Sequence, residues 1–250
     1  MTKMKKFLIA LQFLTVLPIN VKGKIEEKDF GESLVYFPMI GLLMGIFLAF
    51  ISFSLGPLPP LVRSALILII WIIMTGGIHL DGFADTCDGF YGKRAKEDIL
   101  KIMRDSHIGT MGAGGIAVLL LLKFSIVSSI QPENLWKVLI IAVAFARWSQ
   151  ALACATSEYA RDEGKAKYFM AHARKSGVLT GAVFTLILFW LLMDIKGAIL
   201  FLLLSATILL FIKYVKGKIG GMTGDTIGAT NEIAEAAALL FSLISLNCKI

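Results

Sequence analysis

The chain has 250 residues, a formal net charge of +7, 57% hydrophobic residues and a mean hydropathy of +0.78. This apolar fraction exceeds the roughly 45–50% of soluble domains, which excludes an ordinary soluble fold. The positive charge does not indicate nucleic-acid binding, because the basic residues are spread over several short segments instead of one face.

The N-terminal segment begins with three lysines in its first six residues and continues into an apolar stretch, Phe7-Leu8-Ile9-Ala10. Gln12 interrupts that stretch, and no small-residue cleavage site follows before the charged segment 22–32. We therefore expect a short interfacial N-terminal helix and not a removed signal peptide.

Hydrophobic runs follow, each close to the roughly 20 residues that a membrane-spanning helix needs. They lie at residues 34–56, 61–78, 113–130, 135–157, 177–195, 197–215 and 226–246. No alternating β-barrel pattern accompanies them. The sequence thus predicts an all-α, polytopic membrane protein of about seven transmembrane helices, organised as one integral-membrane domain over residues 1–250.

The distribution of Lys and Arg predicts the orientation of these helices. If residues 1–33 are cytoplasmic, the segments 79–112, 157–176 and 213–223 are cytoplasmic too, and together they carry most of the 25 basic residues. The opposite side carries only Arg63, Lys137, Lys196 and Lys249, while Lys123 and Arg147 lie within spans. Basic residues favour the cytoplasmic side, so we expect the N-terminus inside and the C-terminus outside.

The most informative motif is GGIHLDGFADTCDG at residues 76–89. At about 3.6 residues per turn, Asp81, Asp85 and Asp88 share one helical face. Three like charges after an apolar run repel one another unless a cation lies among them, and a divalent cation is the usual solution. A solvated helix end is the alternative. His79 could orient an acid or stabilise phosphate charge, or it could be an ordinary interfacial histidine.

Two further runs carry polar residues on the same predicted side. IMRDSHIGTMG, residues 102–112, follows a short amphipathic pattern, and its glycines open the next span, where backbone N–H groups can bind an anion or small residues can allow close helix packing. GGMTGDTIGATNE, residues 220–232, places Asp225 and Glu232 on one face with Gly228 between them. This pair could bind a second cation or complete the first site, while Asp225 alone could be a helix cap.

Positive partners are available for these acids and for phosphate. Arg147 lies inside a predicted span and needs a counter-charge, for which Glu232 and a substrate phosphate are the candidates. Lys93, Arg94, Arg104 and Arg161 lie on the predicted cytoplasmic side. Carboxylates that hold magnesium and arginines that hold phosphate oxygens together suit a metal-bound diphosphate.

At this level of detail the chain resembles the cobalamin synthase family, the adenosylcobinamide-GDP ribazoletransferases. The resemblance rests on the three runs above and on Phe37-Pro38-Met39-Ile40-Gly41, in the same order and spacing over essentially the whole chain. It implies a multi-pass enzyme of a prokaryotic inner membrane that acts late in cobalamin (vitamin B12) biosynthesis. Such an enzyme joins adenosylcobinamide-GDP to α-ribazole, or to α-ribazole 5′-phosphate, and releases GMP with Mg²⁺ as cofactor.

The site residues that we expect fall into three groups. The metal ligands are Asp81, Asp85, Asp88, Asp105, Asp225 and Glu232. The substrate contacts are Lys93, Arg104, Arg147, Arg161 and Thr223, and the catalytic groups are His79, Asp85 and Asp88. Besides its two substrates, the lipid bilayer is the expected partner. Association with other late enzymes of the pathway and self-association are left open.

Two other functions use similar features. A CDP-alcohol phosphotransferase also carries clustered membrane aspartates, but here only Asp85-Thr86-Cys87-Asp88-Gly89 matches its pattern, and Gly92-Lys93 stands where Ala-Arg is required. A divalent-cation transporter would need acids along a path across the membrane, whereas the acids of this chain gather on one predicted side.

Overall fold

The computed structural model describes residues 2–247; Met1 and residues 248–250, which include Lys249, lie outside the described part. Helices dominate that part, and a short 3-10 helix, Leu34–Tyr36, leads into the third of them. The helices are α1 (Thr2–Leu14), α2 (Glu27–Ser33), α3 (Phe37–Ser54), α4 (Pro60–Thr75), α5 (Ile78–Phe90), α6 (Lys96–Ile102), α7 (Thr110–Ser129), α8 (Pro132–Thr156), α9 (Lys165–Ala171), α10 (Lys175–Ile219) and α11 (Gly224–Asn247).

Long apolar helices confirm the all-α membrane architecture. Within residues 2–247, five helical segments are long and apolar enough to cross a membrane, and α4 with α5 makes a sixth if this bent pair is one span. The five are Glu27–Ser54, Thr110–Ser129, Pro132–Thr156, Lys175–Ile219 and Gly224–Asn247. The predicted runs 113–130 and 226–246 are therefore continuous helices, although both contain charged residues.

The longest helix, α10, reverses direction near its middle. Met193 and Asp194 leave helical geometry, and Asp194 has a φ of 52°. The rings of Phe189 and Phe201 are 5.7 Å apart, whereas twelve residues of straight helix would separate them by about 18 Å. At Gly197 a Cβ atom would lie 2.0 Å from the carbonyl oxygen of Phe189, so only glycine fits beside the turn. The two arms match the predicted runs 177–195 and 197–215.

Helix α8 is the centre of the bundle, and 89% of its most apolar stretch is buried. It packs closely against α3 because two glycines remove side chains from the contact. A Cβ atom at Gly41 would lie 2.7 Å from the carbonyl oxygen of Val143, and one at Gly45 would lie 2.7 Å from the Cα of Ile140. Small residues of this kind let membrane helices approach backbone to backbone.

A sharp bend sets the position of the acidic helix. Gly76 and Gly77 have φ values of 63° and 71°, which favour glycine, and they turn α5 by 91° relative to α4. Helix α5 thereby leaves the direction of α4 and packs against α7 and α11.

The two short helices predicted near the membrane surface are also present. Helix α1 covers most of the predicted N-terminal segment and buries Ile9, Ala10 and Leu14. Helix α6 buries Ile99, and Met103 directly after it is buried as well. Both helices use an apolar face to cover the end of the bundle where the polar runs of the sequence meet.

Candidate active site

The acidic motif lies on one continuous helix, as its spacing predicted. Asp81, Asp85 and Asp88 all belong to α5. A rise of about 1.5 Å per residue separates the first and last of them by about 10 Å along the axis. The three carboxylates are therefore spread along the face and have different neighbours.

Close backbone contact brings α11 to the acidic face of α5. A Cβ atom at Gly82 would lie 2.7 Å from the carbonyl oxygen of Asp225, and one at Gly228 would lie 3.3 Å from the Cα of His79. As a result, Asp85 lies within electrostatic reach of Asp225 and Asp81. Two acids of the first motif and one of the third thus meet, although they are far apart in the sequence.

Thr223, not Asp225, caps the N-terminus of α11. Its Oγ1 accepts the backbone N–H of Thr226 at 3.2 Å, and the hydroxyl oxygen of Thr226 accepts the backbone N–H of Thr223 at 2.8 Å. Thr223 is fully buried in this role, which gives it a structural function beside its predicted substrate contact. The Asp225 carboxylate is left to pair with Arg161, whose Nη2 lies 2.6 Å from its Oδ2.

A cavity of about 260 Å³ opens beside this pair. Its polar lining residues are His79, Asp81, Gln150, Arg161, Lys165 and Asp225. The remaining wall is largely apolar and includes three phenylalanines, Phe13, Phe37 and Phe169. Because α1, α3, α5, α8, α9 and α11 all contribute, the cavity is the place where most of the fold converges.

His79 lines the cavity and is bound to a residue that the sequence did not single out. Its Nδ1 lies 3.2 Å from Nε2 of Gln150. Both side chains are at least 97% buried, and neither His79 Nε2 nor Gln150 Oε1 has a hydrogen-bond partner in the part of the chain that the structure describes. Burial beside the cationic Arg147 and Lys123 disfavours a charged imidazole. A role as a neutral hydrogen-bonding group therefore suits His79 better than a role in which the imidazole takes up a proton.

Asp88 turns away from the cavity and binds the N-terminus of α7. Its two oxygens accept the backbone N–H groups of Gly109 at 2.7 Å and Gly112 at 2.8 Å. A Cβ atom at either glycine would lie 2.4 Å from this carboxylate. The anion expected at these N–H groups is thus part of the chain itself. The charge of Asp88 also acts on Asp85, and the metal and catalytic roles expected for Asp88 stay predictions.

Glu232 and Arg147 belong to a buried ionic cluster and not to the cavity wall. Lys123 Nζ lies 2.5 Å from Glu232 Oε2 and 2.6 Å from Glu235 Oε2. Arg147 Nη1 lies 2.9 Å from Glu235 Oε1 and also contacts Asn231. The counter-charge of Arg147 is therefore Glu235 and not Glu232. Two cations and two carboxylates balance one another, as buried charges require.

The remaining predicted residues lie on the outer surface of this region. Asp105 is exposed, and it accepts the backbone N–H of His107 at 3.0 Å, which lowers the pKa of its carboxyl group. With Asp88 and Arg94 it lines an open groove of about 580 Å³. Arg104 lines a second groove of about 300 Å³, which it shares with Arg161. Lys93 is exposed in the connection after α5.

The donors around the cavity fit a magnesium ion that arrives with phosphate. Within residues 2–247, no three His, Cys, Asp or Glu side chains form a group that could hold a metal by themselves. Magnesium, however, is commonly held by one or two carboxylates together with substrate phosphates. Asp81, Asp85 and Asp225 offer such oxygens beside Arg161.

Several residues of this region were not identified from the sequence. Gln150 and the three phenylalanines lie in apolar or helical runs, where nothing distinguishes a cavity-lining side chain from a core residue. Lys123 interrupts the apolar run 113–130. A charged residue inside an apolar run is a signal for a buried partner, and it could have been matched with Glu232 or Glu235 on that basis.

Known proteins resemble this chain over nearly its whole length. A family model described as cobalamin-5-phosphate synthase matches residues 6–243. Proteins named adenosylcobinamide-GDP ribazoletransferase from Geotalea daltonii, Desulfitobacterium hafniense and Alkaliphilus oremlandii are 34%, 36% and 38% identical to the chain. These alignments cover 95%, 96% and 95% of the chain and 96%, 97% and 96% of the relatives. No solved structure matches it. Since the family model and these relatives span nearly its whole length, the chain belongs to the cobalamin-5-phosphate synthase family.

Proposed function

We propose that the chain is a magnesium-dependent adenosylcobinamide-GDP ribazoletransferase. It joins adenosylcobinamide-GDP to α-ribazole, or to its 5′-phosphate, and releases GMP. The observation that carries this proposal is that Asp81, Asp225 and Arg161 line one cavity, with Asp85 within electrostatic reach of both acids, in a chain whose relatives bear that name. Acids and an arginine beside an enclosed space are the groups that phosphoryl transfer from a diphosphate requires.

The reaction is a substitution at phosphorus. A ribose hydroxyl of the acceptor forms a bond to the phosphorus that is attached to the corrinoid arm, and the bond from that phosphorus to the GMP oxygen breaks. The hydroxyl proton passes to a carboxylate, for which Asp85 and Asp81 are the candidates. Arg161 can release Asp225 and bind the phosphate oxygens, since its guanidinium matches their geometry.

Magnesium would be held by one or two of the carboxylates of Asp81, Asp85 and Asp225 together with substrate phosphate, and it would offset the charge of the diphosphate. The protein residues then position the two substrates and exclude water from the cavity. Arg104, at the groove next to Arg161, is placed to receive the outer part of the nucleotide.

We also propose that these groups face the cytoplasm of a prokaryotic cell from its inner membrane. The support is the excess of Lys and Arg in residues 1–33, 79–112, 157–176 and 213–223. The cavity is built largely from residues next to those segments. Both substrates would therefore be drawn from the cytosol.

Purified protein in detergent, supplied with adenosylcobinamide-GDP and α-ribazole, tests the function directly. We expect GMP release that requires Mg²⁺ and stops when the metal is chelated. Asp85→Asn should lower turnover by at least about a hundredfold while leaving the protein folded. Absence of GMP release, together with phospholipid synthesis from CDP-alcohols or metal flux into proteoliposomes, would instead establish one of the two other functions.

A further inference from the structure

We propose that the cavity beside Asp81 and Asp225 binds the acceptor nucleoside, α-ribazole, and that the His79–Gln150 pair recognises its polar groups. The inference rests on the proposed function and assigns one of the two substrates to a defined place. The nucleotide-activated corrinoid is then left to the open grooves on the same side, which are lined by Arg104 and Arg161.

Size is the first argument. The cavity holds about 260 Å³, just below the roughly 300–1,000 Å³ that is typical of small-molecule sites. A nucleoside is of this size. A corrin ring with its nucleotide arm is several times larger and cannot enter without a large rearrangement of the helices.

The wall of the cavity is suited to a flat aromatic base. Phe13, Phe37 and Phe169 all line it. The ring of Phe169 lies 4.5 Å from that of Phe13 and 5.9 Å from that of Phe37, so the three form one aromatic cluster. Aromatic rings bind flat bases by stacking or edge contact, without the need for hydrogen bonds.

The polar end of the cavity carries two unsatisfied atoms. When Gln150 Nε2 donates to His79 Nδ1, the imidazole carries its proton on Nε2, so that Nε2 is a donor and Gln150 Oε1 is an acceptor. Buried polar atoms without partners are costly, and most native proteins avoid them unless a ligand or water binds there. A donor on His79 and an acceptor on Gln150 suit a ribose hydroxyl, which accepts one hydrogen bond and donates another.

The guanosine part of the other substrate also carries ribose hydroxyls, but the apolar lining of the cavity favours α-ribazole. Guanine has donors and acceptors along its edges, and each would need a partner after burial. Beside the phenylalanines, the apolar wall consists of Ile78, Cys154, Ala166 and Ile227, which offer no such partners through their side chains. The benzimidazole of α-ribazole is largely apolar and needs few partners.

Binding in this orientation also places the acceptor for reaction. His79 and Gln150 line the same cavity as Asp81, Arg161 and Asp225. A ribose held between these two groups of residues has its hydroxyls near the carboxylates and its base against the phenylalanines. The acceptor hydroxyl is thereby held where the diphosphate would be bound.

Calorimetric titration of purified protein with α-ribazole alone tests the assignment without turnover. We expect Gln150→Leu to raise the dissociation constant about tenfold, because a ligand hydrogen bond is lost. Phe169→Leu should raise it about five- to tenfold through loss of ring contact. Guanosine, titrated separately, should bind at least about tenfold more weakly than α-ribazole.

Two matched variants serve as controls. Phe30 contacts Phe169 at 5.3 Å but does not line the cavity, so Phe30→Leu should leave binding within about twofold. Ser149 is adjacent to Gln150 and binds the carbonyl oxygen of Phe145, so Ser149→Ala should do the same. Equal losses in Phe30→Leu and Phe169→Leu would mean a general packing effect and would overturn the assignment.

Steady-state kinetics separates this inference from the proposed function. If GMP is released, Gln150→Leu should raise KM for α-ribazole and leave KM for adenosylcobinamide-GDP unchanged. Unchanged KM for α-ribazole, or tighter binding of guanosine than of α-ribazole, overturns the assignment while the function stands. Absence of GMP release from wild-type protein that still binds α-ribazole with the expected residue dependence rejects the function and supports the cavity as a nucleoside site.

Discussion

Asp88 lies three positions after Asp85 in the sequence, yet the surroundings of the two side chains differ. Asp85 is half-buried among Asp81, Asp225 and Arg161, where a cation and a diphosphate can relieve its repulsion. Asp88 already has both oxygens in hydrogen bonds to backbone N–H groups of α7. Two aspartates of one motif therefore have different surroundings, and we expect a chemical role for Asp85 and a structural role for Asp88.

Replacement of Asp88 tests this division. In Asp88→Ala the N–H groups of Gly109 and Gly112 lose their acceptor, and we expect a loss of stability of about 1–2 kcal/mol, as for other helix caps. Thermal unfolding in detergent measures it. Asp85→Asn is the matched control and should keep the wild-type unfolding temperature. An unchanged temperature in Asp88→Ala, with turnover lost, would instead indicate a direct catalytic role.

At the scale of helices, the geometry of the site depends on the contact between α5 and α11. Gly82 touches the backbone of Asp225, where no flexible side chain can move aside. Gly82→Ala should therefore separate the two helices, displace Asp81 and Asp225, and lower turnover by at least about tenfold. Gly114→Ala is the control, since nothing lies within 4 Å of its added methyl group, and it should keep wild-type turnover. Equal turnover in the two variants would contradict the importance of this contact.

The buried ionic cluster ties α7, α8 and α11 together inside the apolar bundle. Lys123→Met leaves Glu232 unpaired and Glu235 with only Arg147, and we expect destabilisation by about 3–5 kcal/mol. The double variant Lys123→Met with Glu232→Gln restores charge balance and should recover part of this loss. Unfolding temperatures of the two variants provide the comparison. No recovery in the double variant would mean that Lys123 acts through packing alone.

Patterns within one element were predictable from the sequence, and contacts between elements were not. The face of Asp81 and Asp85 follows from helix periodicity, and the two arms of α10 follow from two apolar runs around Asp194. By contrast, Lys123 and Glu232 are 109 residues apart, and no local pattern indicates that they pair. The placement of Gln150 next to His79 likewise depends on how α5 turns at Gly76 and Gly77.

On the scale of the whole molecule, the arrangement of the helices gathers the chemistry at one end of the bundle. Asp81 on α5, Asp225 at the start of α11 and Arg161 in the connection after α8 meet there. The reversal of α10 at Asp194 lies in the predicted outer connection, far along the chain from the cavity. A multi-pass fold of this kind can confine its polar site to one membrane surface while the remainder of the bundle meets lipid.

That arrangement makes a prediction about orientation. The test uses a protein whose native cysteines are replaced by serine. In intact cells, Lys22→Cys should be protected from a membrane-impermeant thiol reagent, because the lysine-rich segment 1–33 is expected inside. Gln131→Cys, in the exposed turn between α7 and α8, should react. Both cysteines should react after the cells are opened, which controls for local accessibility. The reverse pattern in intact cells would place the acids, the arginine and the cavity on the outer surface, where cytosolic substrates cannot reach them.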